Sequence, residues 1–346
     1  MLRILFLAGL ALLPGLAGAQ EVRLEAGAAD RAPPPDWRGT LSFAVENDTF
    51  ARNGSDKNYT NGVQASWRSP SAELPQPLAW LDRQLGYLMG PGDLRWGLAI
   101  GQTMFTPRVT STRNPDPTDR PYAANLFGGV SLSRASEHAL TVVELQGGMV
   151  GPSALGRQAQ NGFHRLIGVE RAYGWSHQLR NEPVFNLVAE RKWRLPLGRI
   201  GGLEFEAMPS VTLSLGNGNL YGALGGMLRF GQGLLADFGP ARIRPALAGS
   251  NYFQPEANRN GREWGWYVFA GIEARGVARD IALDGNTWRD SARVSSRPFV
   301  GDGQIGAAVF WRSYRLAYTH VVRSEEFYGQ RGGMQQFGSI NLAVRF

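Results

Sequence analysis

Ser339-Ile340-Asn341-Leu342-Ala343-Val344-Arg345-Phe346 places an apolar residue at every second position. Side chains of an extended chain alternate between faces, so Ile340, Leu342, Val344 and Phe346 share one face and Asn341 and Arg345 the other. Such a strand can lie with one side against lipid and the other toward a polar interior. A half-buried strand of a soluble sheet alternates likewise, so the reading needs the other end of the chain. There Arg3 makes a short positive segment, Ile4 to Leu13 an apolar run, and Ala17-Gly18-Ala19 offers small residues for cleavage. That order predicts a secretory signal over residues 1–19, with the mature chain starting at Gln20. The apolar run is too short to anchor the chain across a bilayer, and Pro14 breaks it.

Composition narrows the class. No stretch after the signal approaches the run of about 18 apolar residues that a membrane helix needs. A mean hydropathy of −0.24 also argues against a helical membrane protein. It suits a barrel, in which only alternate residues touch lipid, and the 10 Trp and 10 Tyr can supply aromatic girdles. With Cys 0, no disulfide framework or thiolate metal site is available. The formal charge of +7 is spread along the chain and not gathered into a stripe or tail, so no nucleic-acid partner is expected. It solvates loops and lumen.

Period-two segments bounded by Gly, Pro, Asn or Asp fall near residues 39–49, 59–68, 95–105, 121–133, 139–149, 183–195, 202–214, 219–230, 264–277, 298–311, 313–323 and 336–346. The expectation is therefore an all-β fold: a twelve-stranded antiparallel transmembrane β-barrel over residues 38–346. Residues 20–37, with Pro33-Pro34-Pro35, form a periplasmic lead-in. Residues 231–263 are poorly patterned, and a further strand could run around Ala241 to Leu247. With both termini in the periplasm, the loops around 50–58, 106–120, 150–182, 215–218, 278–297 and 324–335 face outside. Most of the unusual polar chemistry sits in those loops.

Several motifs recur in order along them. Glu46-Asn47-Asp48-Thr49-Phe50 ends the first strand, and Ser55-Asp56-Lys57-Asn58-Tyr59-Thr60-Asn61-Gly62 opens the second. Gly101-Gln102-Thr103-Met104-Phe105-Thr106-Pro107 and Asp119-Arg120-Pro121-Tyr122-Ala123 flank the next outer loop. Then come Gly151-Pro152, Gln160, His164 and Gly174-Trp175-Ser176-His177-Gln178-Leu179, and later Leu283-Asp284-Gly285-Asn286-Thr287-Trp288 and Arg323-Ser324-Glu325-Glu326-Phe327. Over nearly the whole mature chain this set resembles the outer-membrane lipid A 3′-O-deacylase (LpxR) family. The resemblance implies an outer-membrane enzyme whose site lies between the barrel wall and a helix of an outer loop, facing the cell exterior. It also implies calcium-dependent hydrolysis of the 3′ acyl ester of lipid A in lipopolysaccharide. Its partners would be that substrate, the surrounding outer-membrane lipids and the barrel-assembly machinery, for which a terminal aromatic such as Phe346 is a signal.

The residues can be weighed on their own chemistry. Ester hydrolysis needs an activated water and a group that holds the developing oxyanion. Ser153 to Ile167 reads as a short helix, and Gln160 and His164, four apart, share one of its faces. A histidine there could take a proton from water near neutral pH. Asn47 and Asp48 offer the hard oxygen ligands that calcium prefers, although Asn and Asp at a strand end are more often turn formers. The resemblance implies His164 as base, Asn47 and Asp48 at the calcium site, and Thr60 in a positioning role. Glu170 is a further candidate to support the metal or the histidine. The family's lysine near the third strand has no counterpart here, and Arg108 is the candidate to hold a phosphate in its stead. Ala124-Asn125 also departs from the Gly and large aromatic usual in the family. His177 reads as structural, while His138 and His320 have no catalytic company. The competing functions are an outer-membrane phospholipase and a non-catalytic pore or structural barrel, since fold alone does not set function.

Overall fold

A computed structural model describes residues 35–51, 57–71, 73–243, 252–257 and 263–346. The signal expected over residues 1–19 and most of the expected lead-in lie outside the described residues. Antiparallel strands follow one another around the wall: β1 (Thr40–Asn47), β2 (Asn58–Arg68), β3 (Asp93–Thr106), β4 (Ala123–Ala135), β5 (Ala139–Val150), β6 (Glu182–Trp193), β7 (Leu195–Ile200), β8 (Leu203–Gly216), β9 (Asn219–Gln232), β10 (Trp264–Asp280), β11 (Phe299–Trp311), β12 (Tyr314–Arg323) and β13 (Gln335–Arg345). β6 and β7 are two halves of one wall strand. Asn186–Lys192 pair with the end of β8, and Leu195–Ile200 pair with its start. The break falls at Arg194, whose guanidinium turns inward to the carbonyls of Glu137 and Asp237. Twelve wall strands result, and β1 pairs with β13 to close the barrel. Closure leaves no unpaired edge, which a lipid environment demands.

Alternation sorts the two faces. Phe43, Val63, Leu98, Ile100, Val130 and Leu145 are exposed on the outside of neighbouring strands. Between them Ser42, Gln64, Arg95, Ser131 and Glu144 are buried in the lumen. Both ends of the described barrel, Thr40 and Phe346, lie at one rim, here the terminal rim. Outward aromatics gather there, with Trp67 and Trp96 in edge contact at 5.0 Å and Trp264 opposite Trp311.

Of the further strand considered around Ala241 to Leu247, Ala241 to Ile243 are non-strand, and residues 244–247 lie outside the described residues. The described parts of the β9–β10 connection enter the lumen. Asp237, fully buried, accepts from Arg315 at 2.9 Å and Tyr267 at 2.7 Å and is also paired with Arg229. Further along, Arg242 meets Asp302, and the Ile243 N–H donates to Glu46 at 2.9 Å, one residue from Asn47. Polar lumen side chains and the inserted segment thus satisfy one another, as burial requires.

Among the described residues, two helices of more than one turn accompany the wall. α1 (Gln76–Met89) follows β2 at the terminal rim, and α2 (Gly156–Ile167) follows β5 at the far rim. Pro77 near its start suits α1 to helix initiation. The helix expected over Ser153–Ile167 is in two parts: a single 3-10 turn at Pro152–Ala154, then Leu155 in a left-handed conformation (φ 60), then α2. Gly168 (φ 72) ends α2, its N–H returning to the His164 carbonyl.

Candidate active site

The site begins with a row of residues across four strands. Asn47 is opposite Asn61, Asn61 opposite Met104, and Met104 opposite Ala124. Neighbouring strands are about 4.8 Å apart, so the row spans roughly 14 Å. Asn47 lies on the outward side with Phe43, and Met104 with Leu98 and Ile100. Pairing of β2 with β3 slips between Tyr59 and Asn61, and this bulge brings Thr60 to the same side. Its hydroxyl shares a hydrogen bond of 2.7 Å with that of Thr106. Both threonines are buried, as are Met104 and Ala124, although they sit on the outside of the wall. Loop segments therefore cover the barrel here.

α2 is part of that cover. Its segment packs through a cluster of Met104, Tyr122, Ala124, Ala154, Ala172 and Trp175. Gly156 is required by the approach, because a Cβ there would stand 2.5 Å from the Ala124 methyl and 2.6 Å from Trp175. Ala124 is thus the floor on which α2 rests. On β3, Gln102 donates to the Ala154 carbonyl at 2.5 Å. Gly156, Gln160 and His164 form the buried stripe of α2, whereas Phe163, Leu166 and Ile167 are exposed. The helix thus turns Gln160 and His164 to the wall while Phe163, Leu166 and Ile167 face outward, beside the exposed Arg157 and Arg165.

Each of the two polar side chains has a defined orientation. The indole N–H of Trp175 donates to Gln160 Oε1 at 2.6 Å, which turns the amide nitrogen away as the donating end. His164 Nδ1 lies 2.6 Å from the carbonyl oxygen of Glu170. A carbonyl can only accept, so Nδ1 carries the proton and Nε2 is the basic nitrogen of the neutral ring. Glu170 contributes this backbone oxygen, and its own side chain is exposed.

At the other end of the row, Asn47 caps the 3-10 turn Asp48–Phe50 by accepting from the Thr49 N–H at 2.8 Å. Asp48 is buried and accepts from the Lys57 N–H at 2.9 Å. The turn leans on β13: a Cβ at Gly338 would stand 2.6 Å from that of Phe50, and the Tyr318 hydroxyl donates to the Phe50 carbonyl at 3.2 Å. Arg108 lies in the next loop with its side chain exposed, and its N–H donates to Asp119 at 2.8 Å. The fold brings Asn47, Thr60, Gln160 and His164 to one rim and one side of the wall. Glu170 joins through its backbone, and Arg108 sits at the margin.

Sequence reading missed three contributors. Trp175 was quoted within a motif but had no assigned task, and Gln102 and Thr106 show their parts only once β2 and β3 are in register. A buried clamp also holds the neighbouring loops: Glu326 accepts from Arg120 at 3.0 Å and from Arg323 at 3.2 Å. Burial works to raise the Glu326 pKa, but Arg323 and Arg120 outweigh it and hold the carboxyl below the usual range.

Comparison with known proteins agrees with this architecture. LpxR from Salmonella typhimurium superposes with a TM-score of 0.71 at 18% identity, covering 89% of this chain and 100% of that one. The β domain of the Bordetella autotransporter BrkA gives a TM-score of 0.42 at 11% identity, covering 89% of this chain and 99% of that one. The translocator domain of NalP from Neisseria meningitidis gives 0.38 at 11% identity, with 89% and 88% covered. At those scores the two autotransporter barrels add nothing to the assignment. No curated protein matches the chain by sequence. The family model for outer membrane protein LpxR matches residues 5–346, and the chain belongs to that family.

Proposed function

We propose that this protein is a lipid A 3′-O-deacylase, removing the 3′-linked acyl chain of lipopolysaccharide at the outer-membrane surface with the site facing the cell exterior. One observation carries the reading: a helix with exposed Phe163, Leu166 and Ile167 buries Gln160 and His164 against a lipid-facing wall. Burying a polar side chain is costly unless it is hydrogen-bonded, and a soluble helix would turn these two outward. An ester held among acyl chains at this rim would meet both groups.

His164 Nε2 would take the proton from the attacking water, and the imidazolium so formed would keep its Nδ1–H on the Glu170 carbonyl. The Gln160 amide nitrogen, aimed by Trp175, would donate to the developing oxyanion. Thr60, fixed through Thr106, would hold the substrate side of the cleft. The exposed Arg108 side chain would reach a lipid A phosphate from the loop margin.

The calcium implied by the family resemblance was weighed against the oxygen donors at the first loop. Asn47 offers an amide oxygen and Asp48 a buried carboxylate, both donors of the kind calcium takes. Among the described residues no three acidic or histidine side chains gather into a metal cluster. Carbonyl oxygens and water would complete the coordination, which calcium tolerates. The donors fit in kind. When bound, the ion would polarise the ester carbonyl and offset its developing charge.

Mass spectrometry of lipid A from cells expressing the chain tests the proposal. The expected result is loss of the 3′-linked acyl mass, abolished by calcium chelation in outer-membrane preparations. Unaltered lipid A beside a correctly folded, heat-modifiable barrel would sink it. Phospholipid offered in parallel separates this activity from a phospholipase.

A further inference from the structure

α1 has no place in the catalytic reading, and its position is unusual. β4, β5 and β6 present Arg134, Thr141 and Arg191 as opposite neighbours on their outward side. α1 lies over them. Asp82 receives both Nη2 and Nε of Arg134, at 2.8 and 3.2 Å, and the Gly90 and Met89 carbonyls accept from Arg134 and Arg191. Glycine permits the seating, because a Cβ at Gly86 would stand 2.9 Å from the Arg134 guanidinium and one at Gly90 3.1 Å from that of Arg191. Thr141 and Met89 are buried beneath.

The helix is thus fastened outside the barrel at the terminal rim, level with the outward Trp67, Trp96 and Trp193. Its free face is composed of Trp80 (57% exposed), Arg83, Gln84 and Tyr87 (79% exposed), with Leu88 on the flank. Spacings of three, four and seven put Trp80, Arg83, Gln84 and Tyr87 on one side of the helix. Water would disfavour two exposed aromatics, and the acyl core would disfavour Arg83. The boundary between headgroups and acyl chains accommodates both, the rings lying flat in it and the guanidinium reaching phosphate.

We propose that α1 is an interfacial helix whose Trp80–Arg83–Tyr87 face docks on the phospholipid headgroup layer at the terminal rim, extending the aromatic girdle of the strands. Continuity with that girdle selects the membrane over a protein partner: beside α1 the wall presents Trp96, Leu98 and Val130 outward. The inference is independent of the catalytic proposal.

The chain has no cysteine, so single labels can be introduced cleanly. Tyr87→Cys and, separately, Gln84→Cys would carry an NBD fluorophore in vesicles of phosphatidylethanolamine and phosphatidylglycerol. Asn114→Cys in an exposed loop serves as the aqueous reference. The α1 labels should be quenched at least twofold more by 5-doxyl than by 12-doxyl lipid, and at least threefold less by iodide than the reference. Arg83→Gln should reduce the 5-doxyl quenching. Iodide quenching equal to the reference, or deeper quenching by 12-doxyl lipid in barrels that remain heat-modifiable, would overturn the placement.

Discussion

α1 and α2 are both helices laid against the outside of the same barrel, and they bury polar residues for different ends. α1 covers the half-buried Arg134 and Arg191 with Asp82 and its own terminal carbonyls, and these contacts fasten the helix. α2 rests on small apolar contacts, Gly156 on Ala124 and Ala154 beside Met104, while its buried Gln160 and His164 meet the Trp175 indole and the Glu170 carbonyl. Trp175 and the Glu170 carbonyl belong to the same loop as these two side chains and set their orientation. One helix uses polar burial for attachment. In the other it serves preorganisation, which is what a site requires.

The sharpest way to break this contrast is His164→Ala. General-base removal costs about 10²- to 10⁴-fold, and deacylation should fall by that much. Because the segment of α2 packs on the wall through Ala124, Ala154 and Met104, the heat-modified gel shift and its midpoint should stay put. Wild-type release of the 3′ acyl chain by this variant would remove the histidine from the mechanism. Trp175→Phe should do less. It keeps a ring against Tyr122 but deletes the donor to Gln160, and one hydrogen bond is worth about 0.5–1.5 kcal/mol, or up to roughly tenfold in rate. The loss should appear in kcat more than KM, since the oxyanion develops only in the transition state. A pure KM effect would show that the amide binds substrate.

On α1 the expectation reverses. Asp82→Asn keeps the shape but removes the carboxylate from Arg134, a pair only partly screened at 15% and 22% side-chain exposure. A loss of about 1 kcal/mol follows from the partly exposed setting, seen as faster proteolysis at α1. Deacylation should remain within twofold. If it dropped tenfold, the two helices would not be independent.

How much of this was legible follows from locality. The wall was, because period-two alternation reports a strand one residue at a time, and all twelve expected segments correspond to wall strands. The broken sixth strand escaped because Arg194 turns inward for partners 43 and 57 residues away in sequence. α1 was missed although Pro75-Gln76-Pro77 followed by Leu78, Ala79 and Leu81 marks a helix start. Gln160 and His164 could be paired from helical spacing alone. Their placement at the same rim and on the same side of the wall as Asn47 could not, for it depends on three strand registers and on a bulge at Thr60.

The smallest expected effect distinguishes the two rims by pH. Arg120 is two residues from Tyr122, whose ring stacks on Trp175 at 4.9 Å, so the Glu326 clamp lies one step behind the Gln160 orientation. The Glu326 carboxyl titrates below its usual range in the fold because Arg323 and Arg120 outweigh burial. Its folded pKa is depressed, so its contribution is fully present above the unfolded value, about 4.3, and is lost as pH falls through the folded value. Acidification from neutrality to below that range should loosen the far-rim loops and expose them to an acid-active protease such as pepsin. Glu326→Gln should already show the looser state at neutral pH and flatten the acid dependence between them. Cleavage at α1 should not follow the same curve, because the Asp82–Arg134 pair is separate from this clamp. A common acid transition at both helices, unchanged by Glu326→Gln, would mean that the rims respond through the barrel as a whole.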